Sequence, residues 1–263
     1  MNKIITLAIA FLLFIPFASI NGNNVALTND TNGNILYVGG SGPNNYTSIQ
    51  SAINDASNGY TIYVYPGNYN ESIVMNKSIS LIGIEKNGGK PIIHAEENRS
   101  AVLILADGCI LKAFVIISQE ILISETNPPS CEIRSNYNII ENNTFMYGWC
   151  SFYLYESSYN ILKNNEITKG YWEGLFTRKC THNIFLYNKA VDNMGEGFFF
   201  SRERNSKIIG NTATKNLHGM SFSLSSNCII SFNHVYSNQQ YGICVDTSNN
   251  VSILNNTIHN HAY

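Results

Sequence analysis

Apolar and polar residues alternate in short bursts along the second half of the chain, and the bursts return at a fixed interval. Phe152 and Leu154, Leu175 and Thr177, Phe198 and Phe200, Met220 and Phe222, and Ile243 and Val245 are expected to point inward on successive short strands. Tyr153, Phe176, Phe199, Ser221 and Cys244 fall between them and are expected to point out. An asparagine keeps the same interval: Asn143, Asn165, Asn188, Asn211, Asn233 and Asn256 follow one another at 22 or 23 residues. That interval is one coil of a parallel β-solenoid, in which each coil buries its apolar side only against its neighbours. Residues at one coil position then lie about 4.8 Å apart along the axis, so register maps the surface.

The repeat is more than one residue deep. Five residues before each asparagine stands another turn position, Asn138, Asn160, Asn183, Ser206, Cys228 and Val251. A small residue followed by an apolar one comes eight or nine residues after it, as in Ser151-Phe152, Gly174-Leu175, Gly197-Phe198, Gly219-Met220 and Gly242-Ile243, and Ser130-Cys131 starts that series. Regular coils therefore run over 130–263. Asparagine suits such corners because its amide tolerates the left-handed region and bonds local backbone. Stacked amides also bond one another up the ladder. The asparagines are read as structure, not chemistry.

The amino-terminal region sets the compartment. Met1, Asn2 and Lys3 lead into an apolar run from Ile4 to Phe17 and a small-residue exit, which reads as a secretory signal over 1–21. Residues 22–34 form a flexible lead, and the β-helix domain is placed at 35–263, with 35–69 as its cap and first strand. Thr47 with Gln50 fits a capping box and Gly59 fits the stop of a short helix with Ile49, Ala52, Ile53 and Ala56 on one face. That helix is expected to cover the open end of the solenoid.

After the helix come Thr61-Ile62-Tyr63-Val64-Tyr65-Pro66-Gly67-Asn68-Tyr69 and Ser78-Ile79-Ser80-Leu81-Ile82-Gly83. Here the chain resembles the amino-terminal end of the pectate-lyase-like β-helix superfamily, and the asparagine repeats resemble its NosD-type branch of secreted surface proteins. The resemblance covers residues 35 to 263 and implies an all-β, single-stranded, right-handed parallel β-helix with a short N-terminal capping helix. It implies far less about activity, because the superfamily holds lyases, hydrolases, epimerases, adhesins and proteins without a known reaction. The NosD branch is associated with copper delivery.

A net charge of −2 and 13% charged residues give no electrostatic footprint for nucleic acid. No apolar segment after the signal suggests a membrane span, so a secreted, extracellular or cell-surface location is expected. His94, His182, His218, His234, His259 and His261 form no tight ligand motif, and no metal or cofactor is expected. Cys180 with His182, and His259 with His261, each supply at most half a site. Cys109, Cys131, Cys150, Cys180, Cys228 and Cys244 share no coil position in adjacent coils, which argues for free and often buried thiols.

One column carries chemistry. Cys150, Glu173, Glu196, His218 and Tyr241 stand immediately before the small residue of each coil, so Glu173 and Glu196 are vertical neighbours with His218 one coil on. Two carboxylates about 5 Å apart match the spacing used by retaining glycosidases, and their repulsion raises one pKa. His218 is a candidate proton carrier. Around the column lie Trp149, Tyr153, Tyr155, Trp172, Phe176, Arg178, Phe199 and Arg202, flat apolar faces for sugar rings and guanidinium groups for uronate carboxylates.

The sequence leaves three readings open. One is a non-catalytic surface β-helix that binds polysaccharide or builds the envelope. The second is a polysaccharide lyase, hydrolase or epimerase that acts on an acidic glycan through Glu173, Glu196 and His218, with Arg178 assisting. A NosD-like copper-handling protein is the third. Paired aspartates with Gly-His-Gly, Asp-Pro-His and a calcium-binding aspartate cluster are all missing, which favours the first. The last apolar layer, after the sixth asparagine coil, has no visible cover, so self-association through the carboxyl-terminal end is also expected.

Overall fold

The computed structural model describes residues 34–86, 89–120 and 128–262. The expected signal, and the lead as far as residue 33, lie outside the described residues. Among the described residues, no helix is long and apolar enough to cross a membrane.

Short strands from successive coils stack in parallel into three sheets of ten, eight and nine strands. The ten-stranded sheet runs from Ile35–Val38 to Ser252–Leu254. The eight-stranded sheet runs from Ile73–Met75 to Ile243–Asp246, and the nine-stranded sheet from Asn68–Asn70 to Thr257–His259. The register is the one the repeat dictates: Phe152 pairs with Leu175, Leu175 with Phe198, Phe198 with Met220 and Met220 with Ile243.

Alternation on these strands fills the coil interior. Phe152, Leu154, Leu175, Thr177, Phe198, Phe200 and Met220 are fully buried and Phe222 is nearly so. Phe200 stacks on Phe222 at 4.6 Å and meets Phe185 edge-on at 5.1 Å. Each such ring contributes roughly 1.5–3 kcal/mol by leaving water. Val245 holds an inward register position but is 39% exposed, and Ile253, Leu254 and Ile258 are exposed with it, because no described coil lies over the last one.

From residue 137 on, the bends are built the same way, and they differ from the expected corner in one respect. The ladder asparagines do not themselves take the left-handed conformation; the residue before each does. Asn142, Asn164, Tyr187, Phe232 and Asn255 have φ between 53° and 58°. Tyr137, Tyr159, His182, Asn205, Asn227 and Asn250 do the same before the other series. That conformation costs about 1–2 kcal/mol per non-glycine residue, and the buried amide that follows offsets it. Asn165 N–H and Nδ2 both donate to Asn188 Oδ1, at 3.0 and 2.9 Å, and Asn188 repeats this on Asn211 at 2.8 and 3.0 Å. A third ladder, Asn193, Asn216 and Asn238, runs beside the small-residue column. It explains that column: a Cβ on Gly174 would stand 2.6 Å from Asn193 Nδ2, and one on Gly197 would stand 2.7 Å from Asn216 Nδ2.

The helix spans Ile49–Asp55 and covers the first coils with Ile49, Ala52 and Ile53 fully buried. Its cap is Ser48, whose Oγ accepts from Ser51 N–H at 3.3 Å, so the Thr47–Gln50 box does not form. Glu71 from the next segment takes the amides of Ile49 and Gln50 at 2.7 and 2.9 Å, and Gln50 Oε1 instead accepts from Val74 N–H. The helix stops at Ala56; Gly59 lies three residues further on in a turn at φ +86°.

All six cysteines are free thiols, five of them buried and Cys244 partly so. Cys131 and Cys150 are fully buried, and desolvation pushes both thiols well above their ordinary pKa. Cys180 and His182 do not share a face: the thiol is buried at a bend while the imidazole is exposed beside it.

Candidate functional site

The carboxylate column occupies the leading edge of the eight-stranded sheet. Glu173 opens the strand Glu173–Arg178, Glu196 opens Glu196–Ser201 and His218 opens His218–Ser223. Cys150 pairs with Glu173 and Glu196 with His218. The glycines that follow make room for the third asparagine ladder, and the column itself is unevenly covered: Cys150 is fully buried while Glu173, Glu196 and His218 are half-buried.

Glu173 is the perturbed member. Burial, first, and the neighbouring Glu196 carboxylate, second, raise its pKa to about 7, opposed by a backbone hydrogen bond. Its Oε2 is buried with no partner among the described residues. His218 stacks face to face on Tyr241 at 5.1 Å, and its Nδ1 accepts from Tyr241 N–H at 3.4 Å. An acid held protonated near neutral pH beside a second carboxylate can give and take a proton. Replacing Glu196 with Gln removes the repulsion, so the Glu173 titration, followed by carboxyl NMR, is expected to move below 7 while remaining above the ordinary glutamate range.

The aromatic residues form a ladder of their own. Tyr153 stacks on Phe176 at 5.3 Å and Phe176 on Phe199 at 5.1 Å, each with an interplanar angle of 13°. Trp149 abuts Tyr153 and Phe176 edge-on at 5.4 and 5.7 Å. Facing rings thus cover one another, and the ladder ends at Phe199, where the next outward residue in register is Ser221. Serine is too short to cover the last ring face. Trp172 is 47% exposed and touches Tyr171 edge-on at 5.5 Å. Tyr155 lies between cations, with Arg134 and Lys179 each 5.8 Å from its ring centre.

The structure brings the carboxylates and His218 into one column and Trp149, Tyr153, Phe176 and Phe199 into one stack, while Tyr155 and the arginines lie at the far end of the strands. Arg178 ends the strand that Glu173 begins, roughly 16 Å away at 3.3 Å per residue, and Arg202 lies one position beyond the matching strand end. Neither joins the carboxylate column. Sequence reading also missed Glu203, which is fully buried between two exposed arginines. The column Ser157, Cys180, Glu203, Ser225 and Ser248, at the same interval as the asparagines, was the signal that marked it as a bend residue.

Among the described residues, no three His, Cys, Asp or Glu side chains converge to hold a metal. His234 Nε2 and His259 Nε2 approach to 3.1 Å and both rings pack on Tyr236, which gives two nitrogens. Copper sites take three or more such ligands, and the described residues do not fit one.

These features define a parallel β-helix with an aromatic and carboxylate face along one sheet edge. The chain belongs to the NosD family, described as periplasmic copper-binding protein, whose match spans residues 100–263. A cell surface glycoprotein of Methanothermus fervidus is 37% identical over 107 residues, which is 40% of this chain and 17% of that protein. This chain therefore spans a small part of that relative. Among solved structures, the A-module of a mannuronan C-5 epimerase from Azotobacter vinelandii aligns with a TM-score of 0.59 at 17% identity, over 81% of this chain and 72% of the module. Pectin methylesterase from carrot aligns at 0.58 and 12% identity, over 84% and 82%. Tailspike protein 2 of bacteriophage CBA120 aligns at 0.58 and 13%, over 84% and 41%. At such identities these likenesses establish the right-handed β-helix fold alone.

Proposed function

We propose that this chain is an envelope or cell-surface β-helix that binds polysaccharide along the aromatic edge of its eight-stranded sheet without turning it over. The observation that carries the reading is the aromatic stack of Tyr153, Phe176 and Phe199, which Ser221 does not extend, with Trp172 exposed just before the strand that carries Phe176. A sugar ring laid there continues the stack. The surface location is supported by the relative's name and by the periplasmic family. Copper handling finds no support in the ligands described above.

A second reading, cleavage or epimerisation of an acidic glycan, is favoured by Glu173 alone, with its raised pKa and orphaned oxygen beside Glu196. A panel of neutral and uronate-rich polysaccharides, scored for pull-down and for new chain ends, separates the two. Binding without new ends is expected, weakened about tenfold or more by Phe199→Ala with Trp172→Ala and retained in Glu173→Gln. New chain ends that vanish in Glu173→Gln would establish the enzyme reading instead. Silence in both assays would overturn both.

A further inference from the structure

A second surface feature lies at the bend beyond the far end of the same strands. Lys179, Cys180, Thr181, Arg202, Arg204 and Asn205 line an open recess of about 500 Å³. We infer that this recess is an anion subsite that receives a carboxylate or sulfate ester borne on a sugar, an inference that rests on the glycan-binding reading.

Charge is the first argument. Arg202 and Arg204 are both exposed, and neither has a carboxylate within ion-pair distance among the described residues. The residue between them is an acid, Glu203, yet it turns into the core and accepts from Asn183 Nδ2 at 3.1 Å and from Ser206 Oγ. Burial pushes its carboxyl up, toward the neutral form. The obvious counter-charge is thus withdrawn from the arginines. Glu156 answers only Lys179, at 2.8 Å. Asp246 stands two coils beyond Ser201 in register and is absent from the lining. Two guanidinium forks without partners, converging on one recess, suit a planar or tetrahedral oxyanion.

Donors and a platform complete the site. Thr181 Oγ1 pairs with His182 Nδ1 at 2.8 Å, and Asn205 Oδ1 is engaged by Asn227, which leaves the Asn205 Nδ2 donor without a protein acceptor. Directly beside the recess, Tyr137 stacks on Tyr159 at 5.0 Å and Tyr159 on His182 at 4.9 Å, with interplanar angles of 7° and 13°. These three are the left-handed residues of their bends, which holds their rings outside the coil. The stack ends on His182, because the next residue in that column is Asn205.

Isothermal titration at moderate salt tests this with four probes: a uronate trisaccharide, a sulfated trisaccharide, a neutral trisaccharide and inorganic sulfate. The intact chain is expected to prefer an anionic sugar over the neutral one by at least tenfold, and Arg202→Gln with Arg204→Gln is expected to abolish that preference. His182→Ala is expected to weaken the anionic sugar several-fold while leaving inorganic sulfate unchanged. Arg99→Gln, which removes the same charge outside the recess, is expected to change little. Equal loss with Arg99→Gln, or anionic binding untouched in the double variant, overturns the subsite. Sulfate binding with no preference among sugars overturns its glycan source. Loss of preference in the arginine pair with Phe199→Ala silent upholds the corner and counts against the aromatic edge; the reverse pattern does the opposite.

Discussion

Asn188→Ala is expected to lower stability by about 3–5 kcal/mol, read as a shift of the urea midpoint at constant slope. The side chain serves three partners at once. Its Oδ1 accepts from both Asn165 N–H and Asn165 Nδ2, and its Nδ2 donates to Leu162 O at 2.9 Å and to Asn211 Oδ1 at 3.0 Å. Asn188 is 1% exposed, so water cannot replace it. Alanine therefore strands two buried donors, each at roughly 1–3 kcal/mol, while leaving Tyr187 at φ 53° with nothing to offset the conformation. Asn188→Ser is expected to cost less than half as much. The molecule contains the precedent: Ser206 replaces asparagine in the neighbouring ladder, and its Oγ accepts from Asn183 N–H at 2.9 Å. If alanine and serine cost the same, and less than about 1 kcal/mol, the ladder is ornament and apolar packing alone holds the coils.

The interval of 22 or 23 residues made the stack legible because a solenoid writes its third dimension into sequence register. Phe152 above Leu175 above Phe198 is a statement about sequence as much as about space. Local chemistry at single positions was harder to read. Thr47–Gln50 looked like a capping box, but Glu71 offers a full carboxylate to the same amides and outcompetes a local side chain. The third ladder keeps the same interval at Asn193, Asn216 and Asn238, but it is shorter than the others and runs beside the glycine column, whose period is identical. Corner asparagine was assigned the left-handed conformation on propensity, whereas Tyr187 and Phe232 take it. Their φ is imposed by the stacked coil, and single-residue preference is weak against that.

The site divides along the same line. Glu173 over Glu196 followed from register, and with it the lesser cause of the raised pKa, the repulsion of two carboxylates in one column; burial, the larger cause, did not. Arg178 and Arg202 were drawn into that group by sequence proximity, but a strand of six residues separates its two ends. What register could not give is burial. Arg202-Glu203-Arg204 alternates in charge without any apolar residue, and only the bend geometry turns the middle residue inward while leaving its neighbours exposed.

That inward glutamate makes stability depend on pH in a direction opposite to the usual carboxylate. Burial is the larger influence on Glu203, opposed in part by hydrogen bonds from Ser206 and Asn183, so its folded pKa is raised. Between the unfolded pKa and the raised folded one, the folded state binds more protons than the unfolded state, and stability falls as pH rises. The contribution is complete at acid pH and lost as pH climbs through the folded pKa. Glu173 acts with the same sign up to about 7, so the wild-type slope alone does not isolate Glu203. Glu203→Gln does. The amide keeps an oxygen for Asn183 and Ser206 and presents N–H toward the second carboxyl position, where Oε2 has no partner and the Thr177 hydroxyl is likewise unpaired. Near pH 4.5 the variant is expected to match the wild type within about 1 kcal/mol. At pH 9 it is expected to be the more stable by on the order of 1–3 kcal/mol, the cost of a buried polar group short of partners. Thermal unfolding across that range measures the difference directly, at roughly 2–4 °C per kcal/mol for a domain of this size. A gap that stays constant from acid to base would mean that Glu203 does not titrate differently on folding, and with it would go the claim that the arginines flanking it are left uncompensated.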